Sequence, residues 1–167
     1  MFQIKKRKPI DYITYVVIIL AGVIIDQLTK LLAVALLAPD KSVTVIKHIV
    51  SFTYVENRGM AFGLMSDSRW VFMVVSTLMI VALGAYLFLG MSENKLYGFS
   101  IAMVVSGGIG NMIDRIAMGY VVDFLDFSAI GFPFVFNGAD SFVCVGAGML
   151  VLALVLDIIK EAKAQKK

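Results

Sequence analysis

The chain has 167 residues, of which 60% are apolar before its 14 glycines are counted, and its 15 basic and 12 acidic residues give a net charge of +3. Soluble domains reach only roughly 45–50% apolar residues with glycine included, so the composition excludes a soluble fold and predicts an integral membrane protein. One cysteine, Cys144, and one histidine, His48, exclude an internal disulfide and a metal site built from clustered Cys or His side chains.

Four apolar stretches follow one another along the chain, and a membrane-crossing helix takes about 20 residues. We predict spans at about residues 12–37, 70–92, 96–117 and 139–159. The first of them is interrupted only by Asp26 and Lys30, which lie four residues apart and therefore share one helix face. These two side chains are expected to neutralise each other as an ion pair.

Basic residues flank the apolar stretches at both ends of the chain. They are Lys5, Lys6, Arg7 and Lys8 before the first stretch and Lys160, Lys163, Lys166 and Lys167 after the last. Because basic residues remain on the untranslocated side, both termini are predicted to be cytoplasmic. A secretory signal peptide is the alternative for the N-terminus, but the apolar stretch there continues to Leu37 with no small-residue cleavage site.

With four crossings, residues 38–69 and 118–137 lie on the outer side. The first of these segments contains a run of β-branched and aromatic residues between 43 and 55, which predicts a small sheet on the membrane surface. The apolar residues 60–65 that follow are too few to span the bilayer and are expected to lie at its interface. We therefore predict an extracytoplasmic β-cradle and interfacial segment at about 40–68, within a single membrane domain of residues 1–167.

Ionisable side chains cost at least about 2.5–3.5 kcal/mol each in hydrocarbon, so each one in or near a span needs a partner or a function. Asp114 lies beside Arg115, which pairs either with it or with another group, and Asp157 lies three residues before Lys160. Structural ion pairing is the simplest interpretation of these acids.

Asp123 and Asp140 have no nearby base in sequence and fall at the same outer boundary, one after the third span and one at the start of the fourth. Residues 124–139 are expected to form a surface loop that turns back, so that adjacent antiparallel helices bring both carboxylates to one depth. Two close carboxylates in a low dielectric share one proton. That arrangement suits aspartic hydrolysis, in which one carboxylate takes a proton from water and the other hydrogen-bonds the scissile carbonyl.

The spacing leaves alternatives open at this pair. Asp126 lies three residues beyond Asp123 and competes with it, Asp140 is also placed to be an N-cap of the fourth helix, and the sequence does not tell which acid holds the proton. A proton- or ion-coupled transporter would use the ionisable residues within the spans as a relay. A helical scaffold would use the glycine-rich Ser106–Gly110 for close packing. Neither a transporter nor a scaffold explains why the unpaired acids gather at one boundary of the membrane. Basic residues outside the membrane are too sparse to predict nucleic-acid binding.

Five short motifs occur in a fixed order and cover most of residues 20–145. They are Asp26–Lys30, Asn57–Gly63, Gly107–Arg115, Val121–Phe124 and Phe136–Ser141. Together they resemble the bacterial lipoprotein signal peptidase, or signal peptidase II, family. The resemblance implies an aspartic endopeptidase of the bacterial cytoplasmic (inner) membrane. Its substrates are prolipoproteins, cleaved on the N-terminal side of a cysteine that carries a diacylglyceryl group.

The resemblance also implies a fold: an all-α polytopic membrane protein of four transmembrane helices, with a small extracytoplasmic β-cradle and a short interfacial helix. It implies that Asp123 and Asp140 are the catalytic aspartates, near the extracytoplasmic face, and that Asp126 lies outside the motif. The positions expected to bind substrate or shape the site are Asp26, Lys30, Asn57, Gly59, Gly107, Asn111, Arg115 and Asn137.

The partners implied are prolipoproteins carrying diacylglyceryl-cysteine, membrane lipids and the cyclic peptide inhibitor globomycin. No metal, no cofactor and no nucleic acid are expected, and the chain is expected to act as a monomer. One departure from the family pattern is Gly138, where a larger apolar residue is usual, and it is expected to loosen the start of the fourth helix.

Overall fold

The computed structural model of the protein describes residues 8–39, 41–59, 69–89 and 94–165. Four helices account for most of these residues: α1 (Pro9–Leu37), α2 (Arg69–Phe88), α3 (Lys95–Ala117) and α4 (Gly138–Ala164). Of these, α1, α3 and α4 are long and apolar enough to cross a membrane, whereas the apolar part of α2, Met73–Phe88, is shorter. The predicted interfacial segment at 60–65 lies outside the described residues.

A four-stranded antiparallel sheet packs against one end of the helices. Its strands, in the order in which they pair, are β1 (Ser42–Ile46), β2 (Val50–Asn57), β3 (Val121–Asp126) and β4 (Val135–Phe136). The turn between β1 and β2 contains His48, which is exposed and has a φ of 62°. The first two strands therefore occupy the segment in which the sequence predicted a sheet.

The stretch 124–139 is not the surface loop that we expected. It continues β3, forms a short 3-10 helix at Ser128–Ile130 and then adds β4 and the start of α4. Apolar β-formers on both sides of Asp123 favour a strand, and β2 supplies the hydrogen-bonding partner, from Asn57 opposite Val121 to Ser51 opposite Asp126. The second outer segment thus completes the sheet begun by the first.

Contacts at the opposite end show which helix termini lie together. Lys95 at the start of α3 forms an ion pair with Asp11 at the start of α1, at 2.9 Å. Tyr97 donates a hydrogen bond of 2.9 Å to Asp157, near the end of α4. The C-terminal ends of α1 and α3 and the N-terminal end of α4 therefore meet at the end of the bundle that carries the sheet.

Helix packing uses few buried apolar side chains and several close backbone approaches. Tyr15, Ile101 and Val105 belong to the core cluster between α1 and α3, while large side chains elsewhere point outward, with Leu31 65% and Ile158 64% exposed. Apolar side chains on the outer face are what a lipid environment favours, because lipid tails are as apolar as the side chains themselves. A second cluster, including Ala33, Leu37 and Phe124, packs the end of α1 against β3.

Candidate active site

Asp123 lies within β3 and is 2% exposed. Its Oδ2 accepts a hydrogen bond of 2.8 Å from the amide of Asn57 on the neighbouring strand, and its Oδ1 accepts one of 2.6 Å from the amide of Asn137. Both carboxylate oxygens are therefore held by neutral donors, which fix the position of the group without supplying a full positive charge.

Burial raises the pKa of Asp123 to about 7, because the ionised carboxylate loses its hydration in this position. The negative charge of Asp140 raises the pKa as well. The hydrogen bonds from Asn57 and Asn137 and the charge of Lys30 lower it. This carboxyl group therefore titrates near neutral pH.

Asp140 occupies the first turn of α4. Its Oδ2 accepts a hydrogen bond of 3.2 Å from the backbone N–H of Asn137, and the side chain of Asn137 accepts one of 2.9 Å from the backbone N–H of Asp140. This reciprocal arrangement is a capping box, so the N-cap is Asn137 and not Asp140. The second oxygen, Oδ1, accepts a bond of 2.7 Å from the amide of Asn111.

Asn137 connects the two aspartates. Its side chain is fully buried, and Nδ2 donates both to Asp123 and to Oδ1 of Asn111, the latter at 3.1 Å. Its backbone N–H donates to Asp140. One residue thus contacts both carboxylates, and the structure brings Asp123 and Asp140 into one hydrogen-bonded group.

A buried ionic cluster lies next to this group. The ammonium of Lys30 contacts Oδ2 of Asp26 at 2.8 Å, Oδ2 of Asp114 at 3.0 Å and Oδ1 of Asn111 at 2.9 Å. The ion pair predicted between Asp26 and Lys30 is therefore confirmed, and Asp114, whose sequence neighbour is Arg115, pairs with Lys30. Gln27 donates to both carboxylates of the cluster.

Two glycines allow the backbone segments of the site to approach closely. A Cβ on Gly107 would collide with the carbonyl oxygen of Ala139, and one on Gly110 with the carboxylate of Asp26. The close packing expected of the glycine-rich segment is therefore found, and it holds the first turn of α4 against α3. Gly138 faces Asp26 as well, where an added Cβ would lie 3.2 Å from Oδ1.

Gly59 and Arg115 also contact the network. The backbone N–H of Gly59 donates a bond of 3.1 Å to Oδ1 of Asn57, which leaves Nδ2 of that amide directed at Asp123. The guanidinium of Arg115 lies 3.5 Å from the backbone carbonyl of Asn111, one helical turn earlier on α3. The positions that the resemblance implied to bind substrate or shape the site therefore lie around Asp123 and Asp140, either in contact with them or connected to them through Asn111, Asn57 or Ala139.

Asp126, the rival for Asp123, lies elsewhere. Side chains three residues apart on a strand point to opposite faces, and this carboxylate accepts hydrogen bonds from the backbone of Ser128 at 2.9 Å and the hydroxyl of Thr53 at 3.4 Å. The bond from Ser128 lowers the pKa of Asp126. Its geometry is that of a turn-stabilising side chain.

Sequence reasoning missed the role of Asp114 and Gln27. The sequence offered Arg115 as a partner for Asp114, whereas the partner in the structure is on another helix. Gln27 donates to Asp26, to Asp114 and to the carbonyl of Gly110. A polar amide inside an otherwise apolar span was the available signal, because such a group needs a partner there.

A cavity of about 230 Å³ adjoins the site. Asn111 and Arg115 line its polar side, and Ile80, Leu83 and Val104 of α2 and α3 are among the side chains that line its apolar side. It therefore joins the hydrogen-bonded network to the apolar depth of the helices. Within the described part of the chain, no group of three or more His, Cys, Asp or Glu residues is arranged to hold a metal ion.

Comparison with known proteins gives consistent matches. A profile of the family described as signal peptidase (SPase) II matches residues 18–156. The lipoprotein signal peptidase of Caldanaerobacter subterraneus subsp. tengcongensis is 47% identical over 135 residues, which cover 81% of this chain and 91% of that protein. The lipoprotein signal peptidase of Clostridium tetani is 38% identical over 143 residues, which cover 84% of this chain and 91% of that protein.

A solved structure also matches the fold. It is a bacterial membrane enzyme determined by the in meso method at 2.3 Å resolution, and it aligns with a TM-score of 0.79 at 32% sequence identity. The alignment covers 87% of this chain and 89% of that chain. The sheet and helices described above are therefore similar to those of a membrane enzyme over nearly their whole extent.

Proposed function

The chain belongs to the signal peptidase II family, and we propose that Asp123 and Asp140 are the catalytic carboxylates of its peptidase reaction. As in that family, it is an aspartic endopeptidase that removes signal peptides from prolipoproteins. The observation that supports the assignment is the double contact of Asn137, which donates to both carboxylates.

The pair holds one proton at neutral pH. Two neighbouring carboxylates cannot both ionise easily when they are withdrawn from water, and the pKa of Asp123, raised to about 7 mainly by burial, suits it to retain the shared proton.

The reaction uses the two carboxyl groups in different roles. The ionised carboxylate takes a proton from a water molecule as the water oxygen attacks the scissile carbonyl carbon, while the protonated carboxyl donates a hydrogen bond to the carbonyl oxygen. The tetrahedral intermediate then collapses: its C–N bond breaks and the proton taken from water passes to the leaving amine. The products are a free carboxyl terminus on the signal peptide and a free amine on the lipoprotein.

The substrate is a prolipoprotein whose cysteine carries a diacylglyceryl group, and the bond cleaved is the one on the N-terminal side of that cysteine. The acyl chains remain in the lipid, which restricts the scissile bond to the membrane interface and lowers the entropic part of the barrier. The cavity beside Asn111 and Arg115 continues between apolar helices, and it accommodates part of the signal segment. The polar side chains at its mouth hydrogen-bond substrate carbonyls, and globomycin inhibits by occupying this site.

The membrane arrangement has four spans. The 20 residues of α2 extend over about 30 Å at 1.5 Å per residue, which matches the hydrocarbon thickness, so α2 is the fourth crossing beside α1, α3 and α4. The basic chain ends place both termini in the bacterial cytoplasm, and the sheet and the aspartates then lie at the outer face of the inner membrane. A monomer is sufficient for the reaction, since one copy supplies both carboxylates and the asparagines that donate to them.

The direct test is cleavage by the purified protein in detergent or nanodiscs. Wild type, Asp123→Asn and Asp140→Asn are incubated with a diacylglyceryl-modified prolipoprotein and with its unlipidated precursor. Gel shift and the mass of the new N-terminus report cleavage. We expect cleavage before the modified cysteine by wild type only, with each variant slowed at least about 10³-fold because an amide cannot share the proton.

Asp126→Asn is the matched control, because it changes a carboxylate on the same strand outside the network. It should cleave at a rate within about two-fold of wild type, as is usual for a substitution away from the reacting groups. Equal loss in all three variants, or retained activity in Asp123→Asn, would show that the pair is misassigned.

A further inference from the structure

The two buried acids outside the catalytic pair make similar contacts. Oδ2 of Asp114 accepts a hydrogen bond of 3.1 Å from the backbone N–H of Val122, the residue immediately before the catalytic aspartate of β3. Oδ1 of Asp26 accepts one of 2.7 Å from the backbone N–H of Ala139, the residue immediately before the catalytic aspartate of α4. Each acid therefore fixes the main chain one residue away from one catalytic carboxylate.

The two acids are joined to each other. Lys30 contacts Oδ2 of both, at 2.8 Å to Asp26 and 3.0 Å to Asp114. Gln27 adds a neutral bridge, with Nε2 3.2 Å from Asp26 and 2.9 Å from Asp114. All three ionic side chains are at most 4% exposed, so water does not compete for these contacts.

We propose that Asp26, Lys30 and Asp114 form a clamp that sets the separation of the two catalytic aspartates. Asp26 and Asp114 act as positioning residues, and Lys30 couples them. The inference rests on the proposed function, because a separation matters only if both carboxylates act on one bound water.

The segments that carry Asp123 and Asp140 need contacts that hold them in position relative to each other. Asp123 belongs to a strand and Asp140 to a helix, and the chain between them passes through the exposed 3-10 helix at Ser128–Ile130. That connection gives the two segments no short covalent link. Backbone N–H groups move only with the main chain, so holding Val122 and Ala139 holds the segments themselves, and a misplacement of about 1 Å is enough to cost roughly 100-fold in rate.

The third contact of Lys30 extends the clamp toward the chemistry. The ammonium also donates to Oδ1 of Asn111, at 2.9 Å, and Nδ2 of the same amide donates to Asp140. The charge on Lys30 therefore orients the amide of Asn111 so that its donor group faces the catalytic carboxylate. The cluster positions both the main chain and one side-chain ligand of the pair.

The test is a double-mutant cycle of Asp26→Asn and Asp114→Asn, with kcat and KM measured on the diacylglyceryl-modified prolipoprotein. Each single variant weakens one end of the same clamp, so we expect each to lower kcat about 10- to 100-fold, with KM within about two-fold of wild type. Because a second break adds little once the coupling is lost, the double variant should lose about as much as the worse single one.

Asp157→Asn is the control, since it alters an acid of α4 that contacts Tyr97 at the other end of the bundle. Gln27→Met is the fallback for poor folding, because it removes a bridge without leaving a charge unpaired, and it should lower kcat about three- to ten-fold. Unchanged kcat in the single variants, or losses that multiply in the double variant, would overturn the clamp.

This experiment distinguishes a failure of the proposed catalytic pair from a failure of the proposed clamp. Asp123→Asn is run beside the clamp variants. If it remains active, the proposed catalytic pair is wrong. If it is inactive while Asp26→Asn and Asp114→Asn turn over at the wild-type rate, the pair stands and the clamp is wrong.

Discussion

Two pairs of carboxylates lie side by side in this protein, and different groups surround each pair. Asp26 and Asp114 share the ammonium of Lys30. Asp123 and Asp140 receive hydrogen bonds from the amides of asparagines. A full opposite charge favours the ionised carboxylate strongly, whereas a neutral donor favours it only moderately. The first pair is thereby suited to hold structure, and the second is suited to the proton exchange that we propose for it.

The difference shows how one fold can use one pair of carboxylates to hold the main chain in place and leave the other pair without a direct ion pair to Lys30. A lysine placed against Asp123 and Asp140 would favour ionisation of both and so oppose the shared proton that we propose. An amide in place of Lys30 would leave the buried charges of Asp26 and Asp114 without compensation. Lys30 donates to Oδ1 of Asn111, whose Nδ2 in turn donates to Asp140. Because the amide of Asn111 lies between Lys30 and Asp140, the ammonium orients that amide without forming an ion pair that would favour loss of the proposed shared proton.

The largest effect is expected at Asn137, which donates to both carboxylates of the proposed catalytic pair. Asn137→Asp keeps an acceptor that caps α4 but replaces the amide donor with a third negative charge beside Asp123. We expect kcat to fall about 10³-fold, near the upper range for disturbed acid–base groups. Purified protein assayed on lipidated substrate gives the rate.

Asn137→Ser separates the two roles of that residue. A serine caps a helix about as well as asparagine but is too short to reach Asp123, so it should fold normally and still lose most of the rate. Wild-type turnover in Asn137→Asp would mean that a neutral donor between the carboxylates is unnecessary.

The second prediction concerns the approach of α4 to α3. Gly107→Ala would place a methyl group against the backbone carbonyl of Ala139, so α4 must shift and carry Asp140 with it. We expect kcat to fall roughly 100-fold through misplacement, with a loss of stability of about 1–3 kcal/mol from overpacking. Thermal unfolding and steady-state kinetics measure the two effects.

A matched glycine lies further along α4. Gly148 has no atom within 4 Å of an added Cβ, so Gly148→Ala should leave activity unchanged and stabilise the helix by up to about 1 kcal/mol. Similar behaviour of the two alanine variants would show that close packing at Gly107 does not position the site.

The third prediction uses pH. The hydrogen bond from Asn57 favours the ionised form of Asp123, so Asn57→Ala should raise the pKa of that carboxyl above about 7. Because activity requires the shared proton, the alkaline limb of the pH–rate profile should move to higher pH, and kcat at its plateau should fall about ten-fold as the carboxylate loses orientation.

Thr53→Ala is the control for this shift, since Thr53 donates from the same strand to Asp126. Its alkaline limb should coincide with that of wild type. A limb that moves to lower pH in Asn57→Ala would contradict the proposed role of Asp123 as the holder of the proton.

The sequence predicted the parts of this site that depend on local spacing. Apolar length indicated where helices lie, and the four-residue spacing of Asp26 and Lys30 indicated their ion pair. Contacts between distant segments were not predictable in this way. The pairing of Asp114 with Lys30 joins α3 to α1, and β3 pairs along its length with β2, more than sixty residues earlier in the chain.

Strand formation also separates Asp123 from Asp126, which spacing along the sequence did not distinguish. Asp123 and Asp126 lie at similar depth, but a strand directs side chains three residues apart to opposite faces. As part of a loop, the segment would impose no such alternation. Pairing of β3 with β2 therefore determines which face of the sheet each of the two carboxylates occupies, and spacing along the sequence alone does not.

The smallest expected effects concern stability, and they differ in sign on that one strand. Asp123 has a pKa raised from 3.8 to about 7, so its ionisation destabilises the fold increasingly as pH rises between these values. Asp126 has a lowered pKa, so its ionised form stabilises the fold at pH values above the pKa that this carboxyl has in the unfolded chain. That stabilisation is lost as pH falls.

Relative to wild type, Asp123→Asn should gain thermal stability from pH 4 to pH 8, on the order of 1–3 kcal/mol, and Asp126→Asn should lose a little. Unfolding curves of the three proteins at several pH values measure these differences. For each variant, the change in the free energy of unfolding between two pH values is compared with that of wild type, so that any pH-independent effect of replacing the carboxylate by an amide cancels. Parallel pH dependences for both variants would mean that the two carboxylates share one environment, and the distinction between the two faces of β3 would not hold.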